Sequence, residues 1–140
     1  MSRVGPLKLK IMLLCGDDTA MGPGKAELLE AIVREGSIIG AGRAMHMSYR
    51  RAWNLVDTMN RSWTEPVVET SVGGAGKGGA KLTAFGARLL HAYRDLEVRL
   101  MAAAKEGPFN GLERQLLEVP RPSATIPRAA RKPRSSASGA

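Results

Sequence analysis

The chain lacks several residues and patterns that common functional classes need. It has one cysteine, Cys15, so an intramolecular disulfide is impossible, which suits a reducing compartment. We expect the Cys15 side chain to be buried as a small apolar group. Its two histidines, His46 and His91, are far apart, with no second cysteine and no carboxylate at ligand spacing. We therefore expect no metal site and no cofactor. No nucleophile is paired with a base in the sequence, so we expect no catalytic residues and no enzyme activity.

Long apolar runs and aromatic side chains are also scarce. No stretch approaches the roughly 20 apolar residues of a membrane span, and the run 11–14 is too short for a signal peptide. We therefore predict a cytoplasmic protein with no membrane partner. Only six residues are aromatic, so aliphatic side chains and methionines must fill the core. We expect Trp53 and Trp63 in that core or at its edge.

Positive charge is what the chain has in excess. The net charge is +8 and the isoelectric point about 10.3, a balance that favours a polyanionic partner such as nucleic acid. Half of the excess lies in the tail 108–140, where six Lys and Arg residues face two Glu and five of the eight prolines occur. This composition predicts a largely disordered tail. It could add phosphate affinity or be merely solvated.

Two short helices and a tight turn are predicted in the first half of the chain. The residues LKLKIMLL at 7–14 indicate an edge strand, followed by a loop and a helix from Pro23 to Gly36. Ser37 is placed to cap a second helix over 38–45, in which two glycines favour close approach to the third helix. His46 and Met47 form the turn. The pattern is typical of a helix-turn-helix.

The third helix, from Ser48 to about Trp63, is amphipathic in a way that suits DNA. Its apolar side chains gather on one face, while Arg50, Asn54 and Arg61 gather on the opposite face. Arginine can donate a bidentate pair to guanine, and asparagine can read adenine. The predicted DNA-binding residues are Ser37, Ser48, Tyr49, Arg50, Arg51, Asn54, Arg61 and Lys77. The alternative is an ordinary helical hairpin with a solvated arginine face.

A glycine-rich segment follows where a winged helix carries its wing. We predict a strand over 67–72, a turn GGAGKGGA over 73–80 and a short return strand over 81–83. Lys77 would then meet a phosphate or the minor groove. The glycines also satisfy GxGxxG, but that fingerprint needs a strand and a helix around the turn, and the Walker pattern fails because Gly78 follows Lys77. A merely flexible hairpin is the alternative.

A long last helix, about 83–106 with Thr83 as its cap, carries a heptad seam. The predicted dimerisation residues are Leu89, Tyr93, Leu96 and Leu100. Leu90 and Met101 form a second stripe that would pack on the domain itself, although the seam could also pack within the chain. The predicted fold is mainly α (α+β), a winged helix-turn-helix with a long C-terminal dimerisation helix in one domain, 1–107.

Two segments resemble a known family. GSIIGAGRAMHMSYRRAWNLVDTMN and VVETSVGGAGKGGAKLTAFGARLL, within a resemblance that covers about 7–105, are similar to the N-terminal DNA-binding domain of the ModE family of molybdate-responsive transcriptional regulators, itself related to the winged helix of LysR-type regulators. The resemblance implies a homodimeric repressor or activator with its recognition helix starting at 48–51 and its wing at 73–79. Gly40 and Gly42 stand where family members tend to have alanine, and His46 stands where many have glycine.

The resemblance also implies a limit on function. Full-length members carry C-terminal β-barrel modules that bind molybdate, whereas only the tail follows residue 107, so molybdate sensing carries over to no residue here. The function predicted is a homodimeric regulator that reads a palindromic operator in double-stranded DNA through helix 48–62 and wing 73–79, lacks its own molybdate-binding domain and has an unknown effector. The alternative is a winged-helix adaptor that recruits a protein partner through the long helix.

Overall fold

A computed structural model describes residues 2–72 and 78–124. In chain order it contains β1 (Ser2–Val4), β2 (Leu7–Leu9), β3 (Leu13–Cys15), β4 (Asp18–Met21), α1 (Pro23–Glu35), α2 (Ile38–Ala44), α3 (Tyr49–Ser62), β5 (Val68–Val72), β6 (Gly78–Leu82), α4 (Ala84–Ala104) and α5 (Pro108–Gln115). From α1 to α4 the order is three helices, a two-stranded hairpin and a long helix. The predicted mixed, mainly helical winged helix-turn-helix is confirmed in this order.

The N-terminal segment differs from the single edge strand predicted over 7–14. It forms two antiparallel hairpins, β1–β2 and β3–β4, and the second includes residues predicted as loop. Gly5 and Gly16 sit in the two turns with φ of 56° and 59°, a backbone region that glycine enters without steric cost. Cys15 ends β3 with an exposed side chain, so its predicted burial is wrong.

The helix boundaries follow local signals in the sequence. Pro23 opens α1, and Gly36 ends it with φ of 74° while its N–H bonds to the Ile32 carbonyl. Ser48 and Thr83 cap α3 and α4, each accepting a hydrogen bond from a backbone N–H three residues on. These predicted caps are confirmed.

The core lies where α1, α3, α4 and the base of the hairpin β5–β6 meet. Aliphatic and methionine side chains fill it, together with one tyrosine. Its most deeply buried large side chains are Met21, Leu28, Leu29, Ile32, Met59, Val67 and Tyr93. Trp63 joins the edge of this core, because its ring packs against Phe85 at 6.5 Å and its Nε1 donates to the Ala20 carbonyl at 3.1 Å.

The long helix is covered by its own chain over more of its length than the heptad seam suggested. Tyr93 is buried, and its hydroxyl donates to the Ile11 carbonyl at 2.8 Å, so it anchors the N-terminal segment. The prediction of Tyr93 as a dimerisation residue is therefore corrected to a core residue. Leu90 packs against the core as predicted, Met101 is buried, and Leu100 stays exposed.

The first part of the predicted tail is helical. Pro108 begins α5, so Gly107 and Pro108 separate two helices and do not lead directly into an irregular tail. The apolar side chains of α5 and of the residues just after it are exposed. Residues 125–140, which carry most of the predicted disorder, lie outside the described residues. In the described ranges no helix is long and apolar enough to cross a membrane.

Candidate nucleic-acid interface

The turn between α2 and α3 fixes the geometry of the helix-turn-helix. His46 has φ of 56°, and the Met47 N–H donates to the Gly42 carbonyl at 2.9 Å. A Cβ on Gly42 would lie 3.2 Å from the Ala52 Cβ and 3.3 Å from the Met47 carbonyl oxygen. Gly42 thus allows the close approach of α2 to α3 that was predicted.

Gly40 has a different role from the one predicted. A Cβ there would meet the Ser37 hydroxyl oxygen at 2.9 Å and the Glu35 side chain, and no atom of α3 is among its three nearest neighbours. The Ser37 hydroxyl accepts a hydrogen bond from the Gly40 N–H at 2.9 Å. Gly40 therefore makes room for the cap of α2.

The exposed face of α3 collects most of the predicted DNA-binding residues. Ala52, Val56 and Met59 are buried on the opposite face. Ser48, Tyr49, Arg50, Arg51 and Asn54 are all exposed around the first two turns.

The arginines of this face differ in whether their guanidinium groups have an ion-pair partner. Within residues 2–72 and 78–124 the guanidinium groups of Arg50 and Arg51 have no ion-pair partner. Arg61, in the last turn, instead pairs with Asp57 at 2.9 Å. An exposed pair of this kind contributes only a few tenths of a kcal/mol. Its geometry marks Arg61 as less available to a ligand than Arg50 and Arg51.

Trp53 was expected in the core or at its edge, and the structure corrects this. Its side chain is 46% exposed, one helical turn after Tyr49, which is 53% exposed. Successive helix positions are separated by 100°, so residue 53 falls beside the polar stripe of residues 50 and 54 and away from Ala52. This helical position is the signal in the sequence that could have identified it.

The wing hairpin is attached to both ends of the helix-turn-helix. Its strands pair from Val68 with Leu82 to Val72 with Gly78, so the return strand is longer than the predicted 81–83 and begins inside the predicted turn. The Ala80 N–H donates to the Gly36 carbonyl at 2.8 Å, between α1 and α2. Lys77 and the rest of the tip at 73–77 lie outside the described residues.

Asn60 joins the wing to the end of α3, a role that sequence reasoning missed. Its Oδ1 accepts from the Val67 and Val68 N–H groups at 2.8 and 3.0 Å, and its Nδ2 donates to the Val68 carbonyl at 3.1 Å. One side chain therefore satisfies three backbone groups at the start of β5. The wing and α3 are therefore held together by these hydrogen bonds.

A second group of cations lies on the other flank of α3. Lys10 and Arg51 line a groove at the start of α1, next to the buried Lys25. The Lys25 ammonium donates to the Thr19 carbonyl, and burial lowers its pKa from the ordinary value, while Asp18 acts in the opposite direction. The first turn of α1 has no acidic residue. We call Lys10, Lys25 and Arg51 the cationic flank.

The described residues contain no group of three or more His, Cys, Asp or Glu side chains that could hold a metal. The described side chains of the interface are instead hydrogen-bond donors, cations and aromatic rings. This set suits recognition of a polyanion with readable base edges.

Known proteins share this sequence pattern. The chain is 44% identical over 85 residues to the molybdenum transport protein ModE of Azotobacter vinelandii, covering 61% of this chain and 32% of that protein. It is 38% identical over 71 residues to the DNA-binding transcriptional dual regulator ModE of Escherichia coli strain K12, covering 51% and 27%. The resemblance to ModE is confirmed. These ModE relatives support a DNA-binding regulator.

Other matches extend the comparison. Molybdenum-pterin-binding protein MopA of Rhodobacter capsulatus is 35% identical over 113 residues, 79% of this chain and 43% of that protein. The full-length LysR-type regulator LysG of Corynebacterium glutamicum with bound effector Arg matches in structure at 28% identity and a TM-score of 0.46, covering 71% of this chain and 31% of that one. No family model matches the chain. The chain spans less than half the length of the curated relatives named here.

Proposed function

We propose that this chain is a homodimeric transcriptional regulator that binds a palindromic site in double-stranded DNA through α3 and the wing, and is not an enzyme. The observation that carries the proposal is the exposed start of α3. Arg50 and Arg51 point away from a complete apolar face and have no ion-pair partner in the described ranges. Two unpaired guanidiniums beside a helix N-terminus favour phosphate and guanine.

The wing supports the same surface. Asn60 fixes β5 against the end of α3, so a duplex in contact with α3 would also meet the wing. Under this proposal Lys77 neutralises a phosphate next to the groove. Ser48 is already used as the cap of α3, and Ser37 as the cap of α2, so their contribution comes through the backbone N–H groups that they help to orient.

We further propose that the homodimer forms through the exposed side of α4. A C2 dimer would place two α3 helices so that they read two half-sites about one helical turn apart. Leu96 is half-buried and Leu100 is 41% exposed, and both lie at the border of that side of the helix. Leu89 is half-buried against the chain's own core and would contribute at the edge of the interface.

The test is selection of duplexes from a random library, followed by a mobility-shift titration across a salt series. The double variant Arg50→Ala/Arg51→Ala should lose at least about 30-fold in affinity for the selected site, because loss of a bidentate arginine–guanine contact at Arg50 costs about 1–3 kcal/mol in each of two half-sites. Loss of the phosphate contact of Arg51 adds to this. The matched control, Arg99→Ala/Arg114→Ala, removes the same charge from α4 and α5. It should bind the selected site with the wild-type affinity. Selection of no consensus, or equal loss in both variants, contradicts the proposal.

The same experiment separates a regulator from an adaptor. Charge reversal at Arg50 and Arg51 would abolish DNA binding by a regulator, while an adaptor acting through α4 would keep its protein partner after that change. Retention of a specific protein complex with no DNA consensus would favour the adaptor.

We also propose that DNA binding by this chain does not depend on molybdate, because the resemblance assigns molybdate binding to none of its residues. The names of two relatives refer to molybdenum transport and molybdenum-pterin binding. Repeating the titration with molybdate should leave the dissociation constant unchanged. A molybdate-dependent shift would contradict this part of the proposal alone.

A further inference from the structure

The exposed surface of α3 carries apolar side chains on one side and cations on the other. Tyr49 and Trp53 are exposed one turn apart, and beside them lie Ile39 of α2, 54% exposed, and Val72 of β5, which is fully exposed. These side chains line one groove between α2, α3 and the wing. We call these four residues the aromatic flank.

The aromatic flank is not an extension of the core. The buried face of α3 is formed by Ala52, Val56 and Met59. Tyr49 and Trp53 lie at other positions around the helix, outside that face. Exposed apolar side chains that cluster between a recognition helix and a wing indicate a surface that is covered when a ligand binds.

The flank shares its surface with hydrogen-bonding groups that suit DNA. Arg50 and Asn54 directly follow Tyr49 and Trp53 along the chain, so the four residues alternate aromatic and polar over the first two turns of α3. The major groove presents one apolar group on its base edges, the 5-methyl of thymine. Aromatic rings beside guanidinium and amide donors therefore match a groove that contains thymine next to guanine or adenine.

A protein partner fits this flank less well. The neighbouring Arg50 lacks an ion-pair partner in the described ranges and lies exposed on the same surface. A protein that covered the apolar groove would have to supply carboxylates there or bury that charge unpaired. Duplex DNA supplies apolar methyl groups and anionic phosphates together.

We propose that Trp53, supported by Tyr49, contacts thymine 5-methyl groups in the major groove and makes thymine a determinant of the half-site. The inference rests on the proposed DNA-binding function and adds the base that this flank reads. Trp53 acts here as a specificity-determining residue that the predicted set of DNA-binding residues omitted.

The test replaces each thymine of the selected half-site with deoxyuridine, which removes the methyl group and keeps base pairing. For the wild-type chain, one or two positions should weaken binding by about fourfold each, the effect expected for losing burial of one methyl group. In Trp53→Ala the affinity should already be reduced, and deoxyuridine at those positions should have no further effect. Trp53→Phe should keep part of the discrimination.

Two controls keep the result interpretable. Val33→Ala removes apolar surface from an exposed residue of α1, 63% exposed and not among the residues that line the groove of the aromatic flank, and should keep the full thymine dependence. Circular dichroism of each variant checks that Trp53→Ala folds. The deoxyuridine scan of the wild-type chain tests the inference even if that variant does not fold.

The outcomes separate the two proposals. Specific binding in which every thymine is replaceable overturns the thymine contact and leaves the DNA-binding function standing. Equal deoxyuridine effects in wild type and Trp53→Ala also overturn the thymine contact. Trp53 would then contact the DNA backbone or a protein. Absence of any sequence-specific binding overturns both proposals.

Discussion

Gly86 in the first turn of α4 lies directly against the backbone of Val67 at the base of the wing. A Cβ on Gly86 would come within 2.9 Å of the Val67 carbonyl carbon and closer still to its oxygen, a contact that real side chains do not make. The same carbonyl accepts a hydrogen bond from the Thr83 N–H at 3.0 Å. The cap of α4 and the missing side chain of Gly86 therefore position the long helix on the wing together.

The substitution Gly86→Ala should destabilise the domain. Alanine in a helix is normally favoured over glycine by about 1 kcal/mol, but here the methyl group must displace backbone, which costs more than it gains. We expect a net loss of about 1–3 kcal/mol in the free energy of unfolding. Urea denaturation measures it. Gly24→Ala is the control, because nothing lies within 4 Å of a Cβ at that position of α1, and equal midpoints for the two variants would contradict the prediction.

Local signals in the sequence were enough to predict α1 to α4. Ser37, Ser48 and Thr83 were predicted as caps from residue type and position, and each accepts the expected backbone hydrogen bond. The residues LTAFG at 82–86 lie within the second segment that resembles the ModE family. The physical basis of this pattern is the contact between Gly86 and Val67, which joins residues about twenty positions apart and so has no local signature.

The remaining differences come from contacts that are distant in sequence. Asn60 is a polar residue in the last turns of α3, and only the docked wing gives its amide three partners. Tyr93 matched the heptad seam by spacing, but the N-terminal segment covers it and accepts its hydroxyl hydrogen bond. His46 adopts the left-handed backbone that favours glycine.

Substitution by alanine should affect stability at one asparagine of α3 and DNA binding at another. Asn60→Ala removes three hydrogen bonds to the backbone of Val67 and Val68 and should cost about 2–4 kcal/mol of stability. Asn54→Ala changes an exposed side chain and should leave stability within about 0.5 kcal/mol, while it weakens DNA binding. Thermal melts and mobility shifts on both variants check the pair. A stability loss in Asn54→Ala as large as that in Asn60→Ala would be inconsistent with the different burial of the two amides.

Arg50 and Arg51 should have separable roles. Arg50 lies near the middle of the exposed face, whereas Arg51 belongs to the cationic flank. Arg50→Ala should relax base preference at one position of the half-site. Arg51→Ala should weaken binding to all sequences alike and reduce the slope of log K against log salt by about 2, because the proposed dimer loses one phosphate contact in each half-site. Competition assays with point-substituted duplexes across a salt series distinguish them, and identical profiles would refute the assignment.

Acid should weaken the ion pair between Arg94 and Glu97 within α4. Glu97 is buried, and Arg94 donates to it at 2.7 Å and also to Glu30. Burial is the largest single cause and raises the pKa of Glu97, but several causes that lower it, with the hydrogen bond from Arg94 first among them and the charge of Arg94 another, together outweigh burial, so the pKa is lowered from its ordinary value. A lowered folded-state pKa adds stability that is fully present above the unfolded pKa, near 4.5.

This stability should be lost as the pH falls below about 5 toward the folded-state pKa. Glu97→Gln should therefore be less stable than wild type at pH 7, with a difference that shrinks below pH 4.5. Urea titrations from pH 7 to 3 measure the difference. Glu106→Gln, at an exposed residue after α4, should follow the wild-type curve. A constant gap between Glu97→Gln and wild type over the whole range would show that the effect is packing and not ionisation.

The proposed dimer can be tested with two exposed apolar residues on different sides of α4. Leu100 lies on the predicted seam with Leu96, whereas Val98, 65% exposed, points about 160° away around the helix. Leu100→Asp places a charge in the proposed interface and should raise the monomer–dimer dissociation constant by at least about tenfold, while Val98→Asp should leave it unchanged. Sedimentation at several concentrations measures both. Dissociation caused by Val98→Asp alone would move the interface to the opposite side of α4, and a wild-type chain that is monomeric throughout would remove the proposed dimer.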